Sequence, residues 1–225
     1  MPRDPIRFRR LLAVASLLLA PLLTIVGVLV APFEKTSTNA AYLEVVREKS
    51  AAAELSAVLL HFGFLLLVPC VWAMAGLLQQ RGTVLGNLGL LLGTIGAIGN
   101  SGVVLLGFAD IALVRELSPG EAVAVYDRID SSWGFALSAI LGIPLLGLGL
   151  LFLIVGLWRA AVLPVWSLAV LPAALLAGVV LPVGRWAPLV LFGAVSVILL
   201  QVAAALLRTL RPEESFGGAP FNVRA

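Results

Sequence analysis

The chain has 225 residues, of which 61% are hydrophobic and only 12% charged, with a formal net charge of +3. A water-soluble domain keeps its surface wet with roughly 25% charged residues, so a soluble fold with a large core is excluded and lipid is the expected solvent for most of the surface. The single cysteine, Cys70, excludes an internal disulfide and any multi-cysteine metal site. The basic excess lies at the ends of apolar segments, where it orients a membrane chain, so no nucleic-acid partner is expected.

In chain order, six apolar segments emerge at 11–31, 55–78, 84–109, 133–157, 161–182 and 186–207. Each is near the ~20 residues that a helix needs to cross about 30 Å of hydrocarbon. The charged residues fall between them, mainly at 1–10, 34–54, 110–130 and 208–224. Lipid offers no partner to backbone N–H and C=O groups, so helices are expected rather than open strands. The fold class is therefore all-α: a single integral membrane bundle of six transmembrane helices over 1–210, followed by a short flexible cytoplasmic tail, 211–225. The first segment has a basic start but an apolar stretch longer than the 7–15 residues of a signal core, so it reads as a retained span.

Orientation follows from the basic residues. With the N-terminus inside, Arg3, Arg7, Arg9, Arg10, Arg81, Arg159, Arg208, Arg211 and Arg224 are cytoplasmic, whereas Lys35, Arg47, Lys49, Arg115, Arg128 and Arg185 are external. That excess places both termini in the cytoplasm. Trp158 and Trp166 then fall at the inner interface, and Trp133 and Trp186 at the outer one, as an aromatic belt requires. Of the two longer external segments, 39–54 reads as a helical extension into the second span. Segment 118–130 opens Ser-Pro with acids in its first turn, a helix start.

The third span, GNLGLLLGTIGAIGNSG, places Gly86, Gly89, Gly93, Gly96 and Asn100 on one face at 100° per residue. Small residues let backbones approach closely, so this groove is expected to pack another helix of the chain or a second copy. Gly134, Ser138 and Gly142 form a second small stripe at four-residue spacing on the fourth span. Pro21, Pro69, Pro144 and Pro172 are expected to kink their helices, as proline often does in membranes.

The candidate chemistry is sparse. His61, the only histidine, lies two turns inside Glu54, and Asn100 and Ser101 lie at a similar depth from Asp110 on the neighbouring span. Glu54, His61, Asn100, Ser101 and Asp110 thus form a candidate polar cluster facing the bundle, although a histidine and an amide can also do no more than hydrogen-bond each other. One histidine leaves haem and zinc without ligands, so no cofactor and no metal is expected. No phosphate loop, dinucleotide fingerprint or H-E-x-x-H motif is present.

Gly99-Asn100-Ser101-Gly102 resembles the G-x-S-G element that carries the nucleophile of rhomboid intramembrane proteases, which are also six-span bundles. In that family the base is a histidine on a later helix, whereas here the only histidine precedes the serine. A helix this rich in glycine also matches such a motif by chance. The joint between the fourth and fifth spans, with Gly156, Leu157, Arg159, Leu163, Pro164 and Trp166, resembles that of a large family of uncharacterised six-span bacterial membrane proteins. This resemblance implies a six-helix inner (plasma) membrane fold and brings no activity with it.

The sequence reading is thus a multi-pass membrane protein that binds or assists without catalysis. A carrier of small solutes or lipids is the alternative, and an intramembrane serine protease a remote one. Its expected partners are the lipid bilayer and a second copy of itself or another membrane protein.

Overall fold

The computed structural model describes residues 5–32, 38–78, 82–180 and 186–210, and within them the chain is all-α, with no strand. The helices are α1 (Pro5–Val30), α2 (Asn39–Glu48), α3 (Ser50–Gly76), α4 (Thr83–Glu116), α5 (Pro119–Asp130), α6 (Trp133–Arg159), α7 (Ser167–Val180) and α8 (Trp186–Leu210). Among the described residues, five of them (α1, α3, α4, α6 and α8) are long and apolar enough to cross a membrane. The expectations for Arg3, Lys35, Arg81, Arg185, Arg211, Arg224 and the tail 211–225 lie outside the described residues.

The fifth expected span differs from the sequence reading. Helix is absent from 161 to 166, and α7 begins only at Ser167, so its 14 residues reach about 21 Å. The cause is local. The Val162 N–H bonds the Leu157 carbonyl at 2.9 Å and the Ala161 N–H bonds the Trp158 carbonyl at 2.9 Å. These two bonds close a Schellman motif around Ala161, which sits at φ 58° in the left-handed region. Pro164 follows three residues later, where a proline commonly keeps the chain from resuming its helix.

α4 carries its bulk on the outside. Gly86, Gly89, Gly93, Gly96 and Asn100 are buried, whereas Leu91 and Ile98 on other faces are 57% and 55% exposed. In water such a helix would be inside out; against lipid, close backbone contact is the gain and exposed leucine carries no penalty. The glycines meet α6 and α3. A Cβ on Gly89 would fall 2.8 Å from the Gly149 carbonyl oxygen, and one on Gly96 would run into the Leu146 backbone. Gly93 packs against Val71 of α3 and Gly86 against Leu78. The groove is filled from within the chain.

On α6 the small stripe is shifted from the expected one. Gly142 packs against Asn100 and Gly149 against Gly93, but nothing lies within 4 Å of a Cβ placed on Gly134, and the Ser138 hydroxyl donates to the Gly134 carbonyl of its own helix at 2.9 Å. In this antiparallel register the close approach of α4 and α6 runs from Gly89 and Gly149 to Gly99 and Gly142 and stops short of Ser138 and Gly134.

The remaining contacts complete the bundle. α3 packs on α1, where Gly63 faces Thr24 and the Ser56 hydroxyl donates to the Gly27 carbonyl at 2.8 Å. α8 packs on α1, and α7 on α8. Leu17, Val71, Met74, Leu153 and Leu199 lie in this core. Polar side chains inside it mostly turn back on their own helix: Thr24 donates to the Ala20 carbonyl at 3.0 Å, Cys70 to Leu66 at 3.1 Å and Asn100 to Gly96 at 2.9 Å. Each of these three donors is thereby bonded without a second helix.

At 34 residues α4 is about 51 Å long, well beyond a hydrocarbon layer of about 30 Å. The apolar segment was expected to end at 109; instead the helix continues through Asp110 to Glu116, and α5 then starts at the Ser-Pro pair, as expected. The surplus length carries a cap, in which α2 and α5 pack on the end of α4 around a second small core of Leu43, Val46, Ile111, Val114 and Ala122. The expected continuous extension 39–54 is also broken, because Lys49 (φ −116°, ψ 35°) separates α2 from α3.

Candidate functional site

The cap is held by polar ties whose chemistry suits each helix end. Thr38 caps α2 by accepting the Ala41 N–H at 3.2 Å, and Asn39 donates to Asp127 of α5 at 2.8 Å. Arg47 donates from Nε to the Val114 carbonyl at 3.2 Å and from Nη2 to the Leu117 carbonyl at 3.4 Å. A cation there meets the orphan carbonyls and the negative end of the α4 dipole. At the start of α5, the N–H and hydroxyl of Ser118 both donate to Glu121 Oε2, which holds the Glu121 carboxyl below its usual range.

Between the cap and the bundle lies a cavity of about 260 Å³. Ala53, Ser56, Ala57 and Leu60 of α3 and Val103, Leu106 and Gly107 of α4 line its apolar part, with Phe135 from α6. Tyr42, Asp110, Tyr126 and Asp130 bring the polar groups. The Tyr42 hydroxyl donates to Asp110 Oδ2 at 3.0 Å, and the Tyr42 and Tyr126 rings lie 5.6 Å apart, tilted by 47°. Burial, then the nearby Asp110 charge, raises the Tyr42 phenol well above its ordinary value. The same causes, with Asp130 and Asp127, push Tyr126 up to about 12. Both phenols are therefore neutral donors over the physiological range.

The five residues expected to form one polar cluster are distributed over separate places. His61 and Ser101 meet: Ser101 Oγ lies 2.8 Å from His61 Nδ1, joining α3 to α4. Asn100 is beside them in sequence but turns to Gly96 of its own helix and packs against Gly142. Glu54 forms a half-exposed ion pair with Arg115 at 2.9 Å. Asp110 belongs to the cavity. The geometric reason is that nine residues make two and a half turns, which puts Asp110 and Ser101 on opposite sides of α4. Equal depth does not imply a shared face.

A serine hydroxyl on a histidine nitrogen is the arrangement that activates a nucleophile. Here Ser101 is 3% exposed, and neither residue lines the cavity. The contact serves as a hydrogen bond between two helices. Among the described residues no group of three His, Cys, Asp or Glu side chains gathers to hold a metal.

The sequence reading missed Tyr42, Tyr126, Asp130 and Phe135. A signal was present: the chain has two tyrosines, and both fall in the two long segments between apolar runs. Comparison with the models of known protein families, with curated proteins and with solved structures finds no match to this chain.

Proposed function

We propose that the chain is a membrane-embedded binding or accessory protein whose cavity, between cap and bundle, takes up a small molecule without altering it. One observation carries the reading. The bundle is close-packed along its glycine seam, whereas the cap end leaves a partly open cavity of about 260 Å³ lined by apolar walls and a few convergent polar groups. That combination is what a small-molecule site looks like, at a volume just under the roughly 300 Å³ where such sites commonly begin.

The topology that goes with this reading has six crossings, α7 being the short one, with both termini cytoplasmic and the cap outside a bacterial inner membrane. The arginine distribution supports it, as does the likeness of the Gly156–Trp166 joint to that of six-span bacterial proteins. Lipid covers the exposed leucines, and a second copy or another membrane protein would have to seat on such a lipid-facing surface. A carrier would use the same cavity as its outward-facing vestibule and would differ by moving its ligand across.

Gly107 provides the test. A Cβ there would meet only the Ala57 methyl, at 3.6 Å, so Gly107→Leu has room to fold while its side chain fills the cavity. Protein purified in neutral detergent should carry a bound small molecule by native mass spectrometry, and Gly107→Leu should lose it. Identical spectra for the two proteins would overturn the reading.

One observation favours hydrolysis as a second reading, the 2.8 Å contact between Ser101 and His61. A fluorophosphonate probe distinguishes it. Labelling of the wild type but not of Ser101→Ala would establish a reactive serine, whereas a buried structural pair stays unlabelled.

A further inference from the structure

The charges around the cavity are of one sign. Asp110 and Asp130 line it, and among the described residues no lysine, arginine or histidine does. Asp110 is 8% exposed, and the one hydrogen bond to its carboxylate, among the described residues, is the Tyr42 hydroxyl on Oδ2. The Arg47–Glu44 and Arg115–Glu54 ion pairs of the cap leave it out. A carboxylate buried among apolar side chains without a basic partner is costly, and the cost falls when a positive charge is brought to it.

The neighbours of Asp110 suit one kind of positive charge. The Tyr42 and Tyr126 rings stand at 47° to each other with centroids 5.6 Å apart, and both line the cavity. Aromatic faces attract an alkylated ammonium, which is weakly hydrated, through their quadrupole. Val46, Ala57, Leu60 and Val103 continue the wall with hydrocarbon. A divalent metal ion would want several hard oxygen ligands, and no such group gathers among the described residues.

We infer that the cavity binds a small organic cation, an alkylammonium group whose charge lies against Asp110 and the tyrosine pair and whose chain lies along Leu60 and Val103. This rests on the binding reading above and names the ligand class for that site. Asp110 acts as the counter-charge, Tyr42 holds its carboxylate in place, and the ring pair favours an ammonium over a bare inorganic ion.

The test compares three probes of similar size, butyltrimethylammonium chloride, sodium pentanoate and 1-pentanol, on the full chain in neutral detergent, with sodium chloride as the ionic-strength control. The melting temperature should rise with the ammonium alone. Asp110→Asn keeps an acceptor for Tyr42, so it should fold, and should bind the ammonium at least roughly tenfold more weakly. Tyr126→Leu should weaken binding as well, and Gly107→Leu should abolish it. If all three probes raise the melting temperature and Gly107→Leu removes all three effects, the cavity binds but does not read charge, which overturns the cation and leaves the binding reading standing. No shift with the ammonium, or the same shift in Asp110→Asn, also overturns it. The ligand-free melting temperature of Asp110→Asn adds an independent readout: it should be unchanged or higher, whereas a residue kept only for structure would lower it.

Discussion

The glycine seam and the cap are built from one helix on opposite principles. Along one face of its first half α4 gives up side chains, so that α6 and α3 approach its backbone, and Asn100 at the end of that face bonds its own helix. Beyond Val103 it carries side chains again, and long-range polar ties from Arg47, Asn39 and Glu54 replace close packing. The seam leaves no space; the cap leaves a cavity with a buried carboxylate in it. Binding is expected where packing is incomplete and charge is unbalanced, and both conditions fall at the same end of the molecule.

The most severe way to break this comparison is one substitution made at two positions of α4. Gly96→Leu drives a side chain into the Leu146 backbone. Overpacking of that kind costs about 1–3 kcal/mol and often more where backbone is the obstacle, so loss of folded protein is expected. Gly107→Leu enters the cavity and removes a helical glycine, for a gain of up to about 1 kcal/mol. Thermal unfolding in detergent checks both. Similar losses at the two sites would mean that the cavity does not exist. Leu91→Ala, on the exposed face of the same helix, should be mild by comparison.

An intermediate effect is expected at Arg47. Arg47→Leu keeps the side-chain stem on the cap core but removes the donors to Val114 and Leu117. The loss should be about 1–2 kcal/mol and confined to the cap. Hydrogen exchange should quicken over 114–130 while α1, α3 and α6 are unchanged; exchange spread over the whole chain would show cap and bundle to be one cooperative unit.

The smallest effect is expected at the α6–α7 joint. Ala161 occupies a left-handed position at φ 58° that glycine takes without strain. Ala161→Gly should raise stability by less than about 1 kcal/mol, since relief of strain is partly offset by the freer unfolded chain. A drop in melting temperature would mean that the Ala161 methyl makes a needed contact.

What could be read from the sequence was what hydropathy and helical spacing encode. The apolar runs marked the long helices, the 100° arithmetic found the glycine face, and Ser118-Pro119 marked the start of α5. The turn at 161–166 was invisible because Ala161, Val162, Leu163, Pro164, Val165 and Trp166 are as apolar as a span, and a Schellman closure depends on dihedral angles rather than polarity. The cavity was invisible for a different reason. Tyr42 and Asp110 are 68 residues apart, and their meeting depends on a break at Lys49 and on α4 continuing past its own charges. Depth along a span placed Asp110 correctly as a polar residue and wrongly as a neighbour of Ser101.

The central claim, that the cap end is a water-reached cavity on the outer side while the rest of α4 faces protein or lipid, is tested most directly by cysteine labelling. Cys70 is free and buried, so Cys70→Ala gives a clean background. In intact cells a membrane-impermeant maleimide should label Gly107→Cys and not Ile98→Cys, which lies on the exposed apolar face. Labelling of Gly107→Cys should also be slowed by butyltrimethylammonium. Labelling at residue 107 only after the cells are opened, or equal labelling at both residues, would contradict the cavity's place and its side of the membrane.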